Sequence, residues 1–474
     1  MKHKSKSKPT VRRMAFRYRS SPTEDQIQAL RKAGGCIRYG WNKQVELGLK
    51  YEKELGKVPS QSDFQRLLVS LKKEQTFLKS DVHSQPLQIT SKRMIEAYAR
   101  AKSPESIQKR RTAIAIANKE KDPELKAKKL ARAERLGYPK FKAKHKDRVS
   151  LYYPQGFVID KNTVTVPKLG TIPYFQHRPM EGRPKSVIII EDGPTWMITI
   201  LCEIETPKPV KPALDSIDPS RLVGGDLGLK EFLTMSNGNV IPNPKNLNKF
   251  VDKLEREQRN LSRKELKEEV QPDGTIKKIS SKNRDKQLQL LARINWRLRN
   301  IRSNFLYIVA YNMITKYDVL CFESLDIQGM MQDNKKKGKH SKNRNIADVS
   351  WSELLRILEY KADWNGKYFV KIDQWYASSQ TCHRCGHRHA MPESERVFRC
   401  PDCGLVMDRD LNASKNILRE GLRLLREQLS TKFSTVVNTA ATAGSACGGA
   451  PLGASLNQEK LIIQTADGKS AILF

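Results

Sequence analysis

"CHRCGHRHAMPESERVFRCPDCGLVMDRDLNASKNI", residues 382–417, sets two kinds of chemistry side by side: four cysteines in two pairs, then two aspartates astride an arginine. Cys382 and Cys385 are three residues apart, Cys400 and Cys403 repeat that interval, and 14 residues lie between the pairs. Two such knuckles close a tetrahedral thiolate site, for which zinc is the expected ion. Gly386 and Gly404 each follow the second cysteine of a pair, where the chain turns back and a residue without a Cβ does so at least cost. His383, His387 and His389 share the loop, but four thiolates already complete the coordination sphere, so these histidines are expected to face solvent or phosphate. A structural Zn2+ accounts for stability and leaves the reaction open.

The other cysteines, Cys36, Cys202, Cys321 and Cys447, show no pairing interval, and 8 in 474 residues is not the density of a disulfide scaffold. A reducing compartment is expected. The opening "MKHKSKSKPTVRRMAFRYRSS" is basic with no apolar run behind it, so it does not read as a secretory signal, and no window approaches the roughly 18 apolar residues of a membrane span. The expectation is a soluble intracellular protein with no membrane partner. Its 87 Lys and Arg against 51 Asp and Glu leave a formal net charge of +36. An excess of that size repels itself unless a polyanion meets it, and points to nucleic acid. It is densest in "PKFKAKHKDR" (139–148) and "KKKGKHSKNR" (335–344).

A chain of 474 residues exceeds one compact core and predicts roughly two to four domains. "TVRRMAFRYRS" (10–20) reads as a strand ended by a Ser-Pro turn. From Thr23 to about Arg135 apolar residues recur at helical intervals, with Ser62 as a cap for "DFQRLLVSLKKEQ". Strands return at "RVSLYYP", "FVIDKNTVTVPKLGTIPY" and "PKSVIIIEDGPTWMITILCEIE", whose Asp-Gly and Gly-Pro punctuation predicts an antiparallel small barrel or curled sheet. A helical lobe is thus inserted into an N-terminal sheet.

A further module begins near Arg221. "RLVGGDLGLKEFLTMSNGNVIP" reads as an apolar strand, a Gly-rich turn and a second strand, with Asp226 where the chain leaves the first. A charged helical region follows from about Asn248 to Thr315, interrupted near "PDGTIKKISS". "YDVLCFESLDI" then buries Val319 to Phe322 as a strand and ends it on Glu323, a carboxylate that is costly there unless a cation meets it. The third acid is Asp408 or Asp410, ahead of a helix whose apolar stripe is Ile417, Leu418, Leu422 and Leu425. Asp226, Glu323 and one of these aspartates would together hold divalent ions that orient a water and stabilise the leaving oxygen of a phosphodiester.

"GGDLGLKEFLT", "YDVLCFESLDI", "IADVSWSELLRILEYKADWNGKYFVKID", "SSQTCHRCG", "FRCPDCG" and "DRDLNASKNI", in that order, resemble the successive blocks of the transposon-encoded TnpB family, relatives of compact type V CRISPR effectors. "QIQALRKAGGCIRYGWN" and "GYPKFKAK" are similar to that family's N-terminal helical block and to the entry into its wedge domain, so the likeness spans about residues 10–420. It implies an α/β multidomain protein. An RNase H-like, RuvC-like nuclease domain (216–376 and 407–430) would carry an inserted four-cysteine zinc ribbon (377–406). A β-barrel-like wedge domain (1–22 and 139–215) would carry a helical recognition lobe (23–138), and 431–474 would be an unassigned, low-complexity tail.

The resemblance also implies a bound guide RNA directing Mg2+- or Mn2+-dependent cleavage of double-stranded target DNA beside a short transposon-adjacent motif, in a prokaryotic cytoplasm at the nucleoid. Matched residue by residue, the family's acids fall on Asp226, Glu323 and Asp410, the last because it directly follows arginine; Ser414 stands where alanine is usual. The loop 331–344 would be mobile and touch the heteroduplex or scissile strand. A compact type V CRISPR effector would share this chemistry, whereas a non-catalytic zinc-ribbon binder would give the three acids no role. No tyrosine or serine recombinase arrangement supports a transposase, and the oligomeric state is left open.

Overall fold

The computed structural model describes residues 10–144, 147–206, 209–245, 250–270, 276–327, 329–331, 348–392 and 395–443. The chain divides into two compact units, the first of Met1–Lys211, Asn243–Lys316 and Ile327–Lys367, the second of Pro212–Pro242, Tyr317–Asp326 and Tyr368–Phe474. The loop expected to touch the heteroduplex lies, from residue 332 on, outside the described residues, as does the tail from 444.

The first unit opens with β1 (Thr10–Ser20), in which Phe16, Tyr18 and Ser20 point inward while Arg13, Arg17 and Arg19 point out, the two-residue period of a half-buried strand. Helices α1 (Glu24–Leu55), α2 (Gln61–Glu74), α3 (Phe77–Ser80), α4 (Ser84–Ala101), α5 (Pro104–Asn118) and α6 (Pro123–Glu134) follow. Thr23 caps α1 in a reciprocal box with Gln26. The cap of α2 is Ser60, boxed with Asp63, and not Ser62 as the sequence suggested; placing the acid at the third helical position lets each partner satisfy an orphan backbone N–H.

The chain then returns to the sheet with β2 (Ser150–Tyr153), β3 (Val158–Asp160), β4 (Thr163–Val166), β5 (Gly170–Phe175), β6 (Arg183–Asp192) and β7 (Thr195–Thr206). The order is β2-β6-β7-β1-β5-β4-β3. Among the described residues this ladder is open at β2 and β3, strands of four and three residues, so of the expected barrel or curled sheet the closed barrel is not formed. Phe16, Tyr18, Leu30, Leu87, Ile189 and Ile198 belong to one core beneath sheet and helices. At the β6–β7 turn the buried Asp192 holds Arg17 at 2.5 Å, Arg299 at 2.6 Å and Arg148 at 3.2 Å, tying three distant segments to one hairpin.

Next come β8 (Leu222–Asp226), β9 (Glu231–Met235) and β10 (Val240–Pro242). The interruption expected in the charged helical region is a hairpin, β11 (Lys267–Val270) with β12 (Ile276–Ile279), between α7 (Val251–Ser262) and α8 (Lys282–Lys316). The remaining elements are β13 (Val319–Glu323), α9 (Trp351–Trp364), β14 (Tyr368–Ile372), β15 (Val397–Arg399), β16 (Val406–Asp408) and α10 (Arg409–Ala443). Helix α10 thus extends past residue 430, where the low-complexity tail was expected to begin.

The sheet of the second unit has the order β10-β9-β8-β13-β14, with β13 parallel to both β8 and β14 and the other pairings antiparallel. Val319, Cys321, Val370, Ile372, Ile417 and Leu425 form the core between this sheet and α10. Gly224 and Gly225 lie within β8. A Cβ on Gly225 would meet Phe322 at 2.5 Å, and one on Gly421 of α10 would meet the Cys321 sulfur at 2.4 Å, so hydrogen in place of a side chain lets helix and strands approach.

Candidate active site and metal centre

Asp226 is the last residue of β8 and Glu323 the last of β13. The two parallel strands pair in register up to Gly225 and Phe322, so the acids stand side by side one step beyond the ladder, on strands about 4.8 Å apart. Asp410 lies in the first turn of α10. All three line a cavity of about 350 Å³, together with Trp375, Arg388 and Arg409. It opens at the carboxyl ends of parallel strands, where ligands enter open α/β sheets.

Asp408 has a different task. Its Oδ1 accepts the backbone N–H groups of Asp410 and Leu411, both at 2.9 Å, which makes it the N-terminal cap of α10. Asp410 carries its carboxylate into the cavity, 3.5 Å from the Arg396 guanidinium. Burial, then the neighbouring Asp410, pushes the Asp226 carboxyl up to about 7 against a lesser pull from Arg409. Burial, then Asp226 and Asp373, likewise raises Glu323 to about 7. Acids this unwilling to ionise side by side suit a site completed by cations.

The four cysteines form a separate centre. Their sulfurs all lie within 4.8 Å of one another, with Cys382–Cys403 at 3.6 Å and Cys385–Cys400 at 3.5 Å. Zinc–sulfur bonds of about 2.3 Å put tetrahedral sulfurs roughly 3.8 Å apart, so the set fits the ion. Gly386 and Gly404 have φ of +80° and +70°, and each donates its N–H to the carbonyl of the first cysteine of its pair. Among the described residues this is the group with such closely gathered donors; the three carboxylates share a cavity but are less tightly drawn together.

Two of the three histidines depart from expectation. His387 is exposed, but His389 packs on Phe398 with ring centroids 4.9 Å apart, and the half-buried His383 has Nε2 3.4 Å from the Lys415 ammonium. The small ribbon core is built from Cys382, Met391, Phe398 and Cys400, which leaves His389 as apolar cover.

Three residues at this site escape a search for acids and thiols. Asn412 accepts the His383 N–H at 3.0 Å and donates to the Thr381 carbonyl at 2.8 Å. Asn416 donates to the carbonyls of Ser378 at 2.9 Å and Thr381 at 2.6 Å. Both are fully buried, one helical turn apart on α10, and fasten the first knuckle and the segment before it to the helix that bears Asp410. Their signal was present as two amides four residues apart on the apolar side of a helix. The third is Trp375, on the cavity wall and exposed to solvent.

Residues 351–417 match the family model "Cas12f1-like, TNB domain", residues 199–334 "Probable transposase" and residues 12–52 "Helix-turn-helix domain". That last block holds most of β1 and α1, a strand followed by one long helix. A "Putative RNA-guided DNA endonuclease" of Streptomyces pristinaespiralis is 30% identical over 416 residues, 86% of this chain and 89% of that protein. "Putative RNA-guided DNA endonuclease InsQ" of Escherichia coli is 28% identical, over 87% of this chain and 94% of its own length. A solved Cas12f1–sgRNA–target DNA complex is similar at TM-score 0.37 and 14% identity, over 86% of this chain and 99% of that one. Identity and coverage against the Streptomyces protein leave one conclusion: the chain belongs to the TnpB/OrfB family of transposon-encoded RuvC-like nucleases.

Proposed function

We propose that this protein is an RNA-guided endonuclease of a transposable element, cutting double-stranded DNA at guide-matched targets beside a short transposon-adjacent motif. The observation that carries the reading is the meeting of Asp226, Glu323 and Asp410, from three separate parts of the chain, in one cavity at the strand ends. The order β10-β9-β8-β13-β14, with α10 across it, supports an RNase H-like nuclease sheet. The curled N-terminal sheet and its inserted helices correspond to a wedge domain and recognition lobe.

Asp226, Glu323 and Asp410 would hold Mg2+ or Mn2+, which would supply Lewis acidity toward a water and toward the leaving oxygen of the phosphodiester. Arg388 and Arg409, on the wall of the same cavity, offset the charge of the incoming phosphate. Asp408 caps the helix and keeps Asp410 in its first turn. The four cysteines hold Zn2+ as a structural ion. The basic surface of a chain whose net charge is +36 binds guide RNA through its phosphates and shape, while pairing between guide and target reads sequence. The protein works in a prokaryotic cytoplasm, at the nucleoid.

RNA that survives a high-salt purification is sequenced, and the complex is given a plasmid carrying a matched target. One defined RNA and Mg2+-dependent cutting are expected. A random cellular RNA mixture with no matched cutting overturns the reading, since charge alone gives salt-sensitive, non-specific binding.

A further inference from the structure

Trp375 is 83% exposed, an unusual position for a large aromatic side chain. It is held there by a built turn. Its own N–H donates to Asp373 Oδ1 at 2.6 Å, the Tyr376 N–H donates to the Asp373 carbonyl at 3.2 Å, and the Ser378 N–H donates to the Tyr376 carbonyl at 2.7 Å. Tyr376 packs against the core under the sheet, so the turn is anchored on one side while the preceding residue, Trp375, is turned out. Asn416 fixes the far end of the same segment through the Ser378 carbonyl.

The surroundings narrow what the indole can meet. It lines the same cavity as Asp226, Glu323 and Asp410, and the wall beside it is polar, with Gln374, Ser379 and Gln380. Apart from Trp375, Tyr376 and two alanines the lining is polar or charged, which gives a wholly apolar ligand little to hold it. A nucleotide fits both halves: a flat base for the indole, and a phosphate joined to it for the carboxylate-bound cations and the arginines. Base-on-aromatic stacking tolerates any sequence, because every base has a π face, which suits an enzyme whose sequence reading is done by pairing. A base inside a duplex already has neighbours on both faces, so the platform takes an unpaired one.

Resting on the nuclease reading above, we propose that Trp375 is a stacking platform for an unpaired base next to the scissile phosphate, and that it positions the strand on the three carboxylates. It acts on substrate placement and not on the metal ligands.

Guide-loaded protein is compared with its Trp375→Ala and Trp375→Phe variants for single-turnover cutting of a matched plasmid. In parallel, 2-aminopurine placed along the target strands near the cut is followed in the Asp410→Asn background, with and without W375A. The expected result is a loss of about 5- to 100-fold for W375A, retention within a few-fold for W375F, unchanged melting and target binding, and 2-aminopurine quenching near the cut that disappears with W375A. Equal rates for W375A and the parent, equal losses in both variants, quenching indifferent to Trp375, or a W375A protein that melts early overturns the proposal. If the parent itself does not cut, the nuclease reading fails; if it cuts and Trp375 is indifferent, only the platform fails.

Discussion

Gly224 of β8 lies directly against the Ser414 carbonyl of α10: a Cβ at that position would stand 2.2 Å from the oxygen and 2.7 Å from the Leu418 nitrogen. Both obstacles are backbone, so neither can swing aside. Gly224→Ala therefore lifts the helix from the sheet, at about 1–3 kcal/mol of stability, and separates Asp410 from Asp226. Gly35→Ala, inside α1 with nothing nearer than 3.8 Å, should raise melting instead, by up to about 1 kcal/mol. Thermal melting of the two variants, with plasmid cutting alongside, checks the contrast.

Asp408 and Asp410 should separate cleanly. Asp410→Asn removes a charged ligand with little change of shape, so RNA and target binding persist while cutting falls at least 100-fold, as it does for Asp226→Asn and Glu323→Gln. Asn is as good a helix cap as Asp, so Asp408→Asn keeps most of the activity, and Asp408→Ala loses about 0.5–2 kcal/mol of stability. An inert D408N beside an active D410N would reverse the assignment.

The raised carboxyls predict a pH dependence. Asp226 and Glu323 titrate near 7 in the folded chain and near 4 when unfolded. Between those values the folded chain keeps protons that the unfolded chain has lost. The stability this confers is full below about 4 and is lost as pH rises through about 7. In chelator, melting temperature should fall between about pH 4 and pH 7 and level off above, less so in the Asp226→Asn, Glu323→Gln double variant, and Mg2+ should restore the parent most at the alkaline end. Cutting should rise over the same interval as the ligands ionise.

Asn412→Ala strands the His383 N–H, while the Thr381 carbonyl keeps its bond from Asn416, at a cost of about 1–3 kcal/mol. Zinc content, measured by atomic absorption, should stay near one per chain, while proteolysis should clip the ribbon before the sheet and cutting should fall. Cys403→Ser should lose both zinc and ribbon protection, since binding energy at such sites is largely folding energy. Unaltered cutting by N412A would show that the knuckle and Asp410 are independent.

Residues whose burial follows from local rules could be read in advance. The two-residue period of β1, the apolar run of β13 and the twin CxxC intervals depend on neighbours in sequence. Other features depend on contacts between residues far apart. Gly224 has no local reason to be glycine, because what it makes room for is a helix nearly 200 residues on. Ser60 lost to Ser62 because a cap is settled by which N–H groups are orphaned. Asp408 and Asp410 could not be separated by spacing, being two residues apart; only the start of α10 tells the cap from the cavity acid. The tethers of Asn412 and Asn416 end on backbone carbonyls, which have no sequence signature.

The distance along the chain between β8 and α10 also sets an order in time. Asp226 and Asp410 are 184 residues apart, and synthesis at about 5–20 residues per second leaves roughly 10–40 s between them. Domains fold as they are made, N-terminal first, so the basic N-terminal sheet and helices form before that interval ends. The helix that brings the third carboxylate is among the last elements to emerge, and Gly224 waits under empty space until it does. On the function proposed above, a nascent chain would therefore acquire its guide before it could cut.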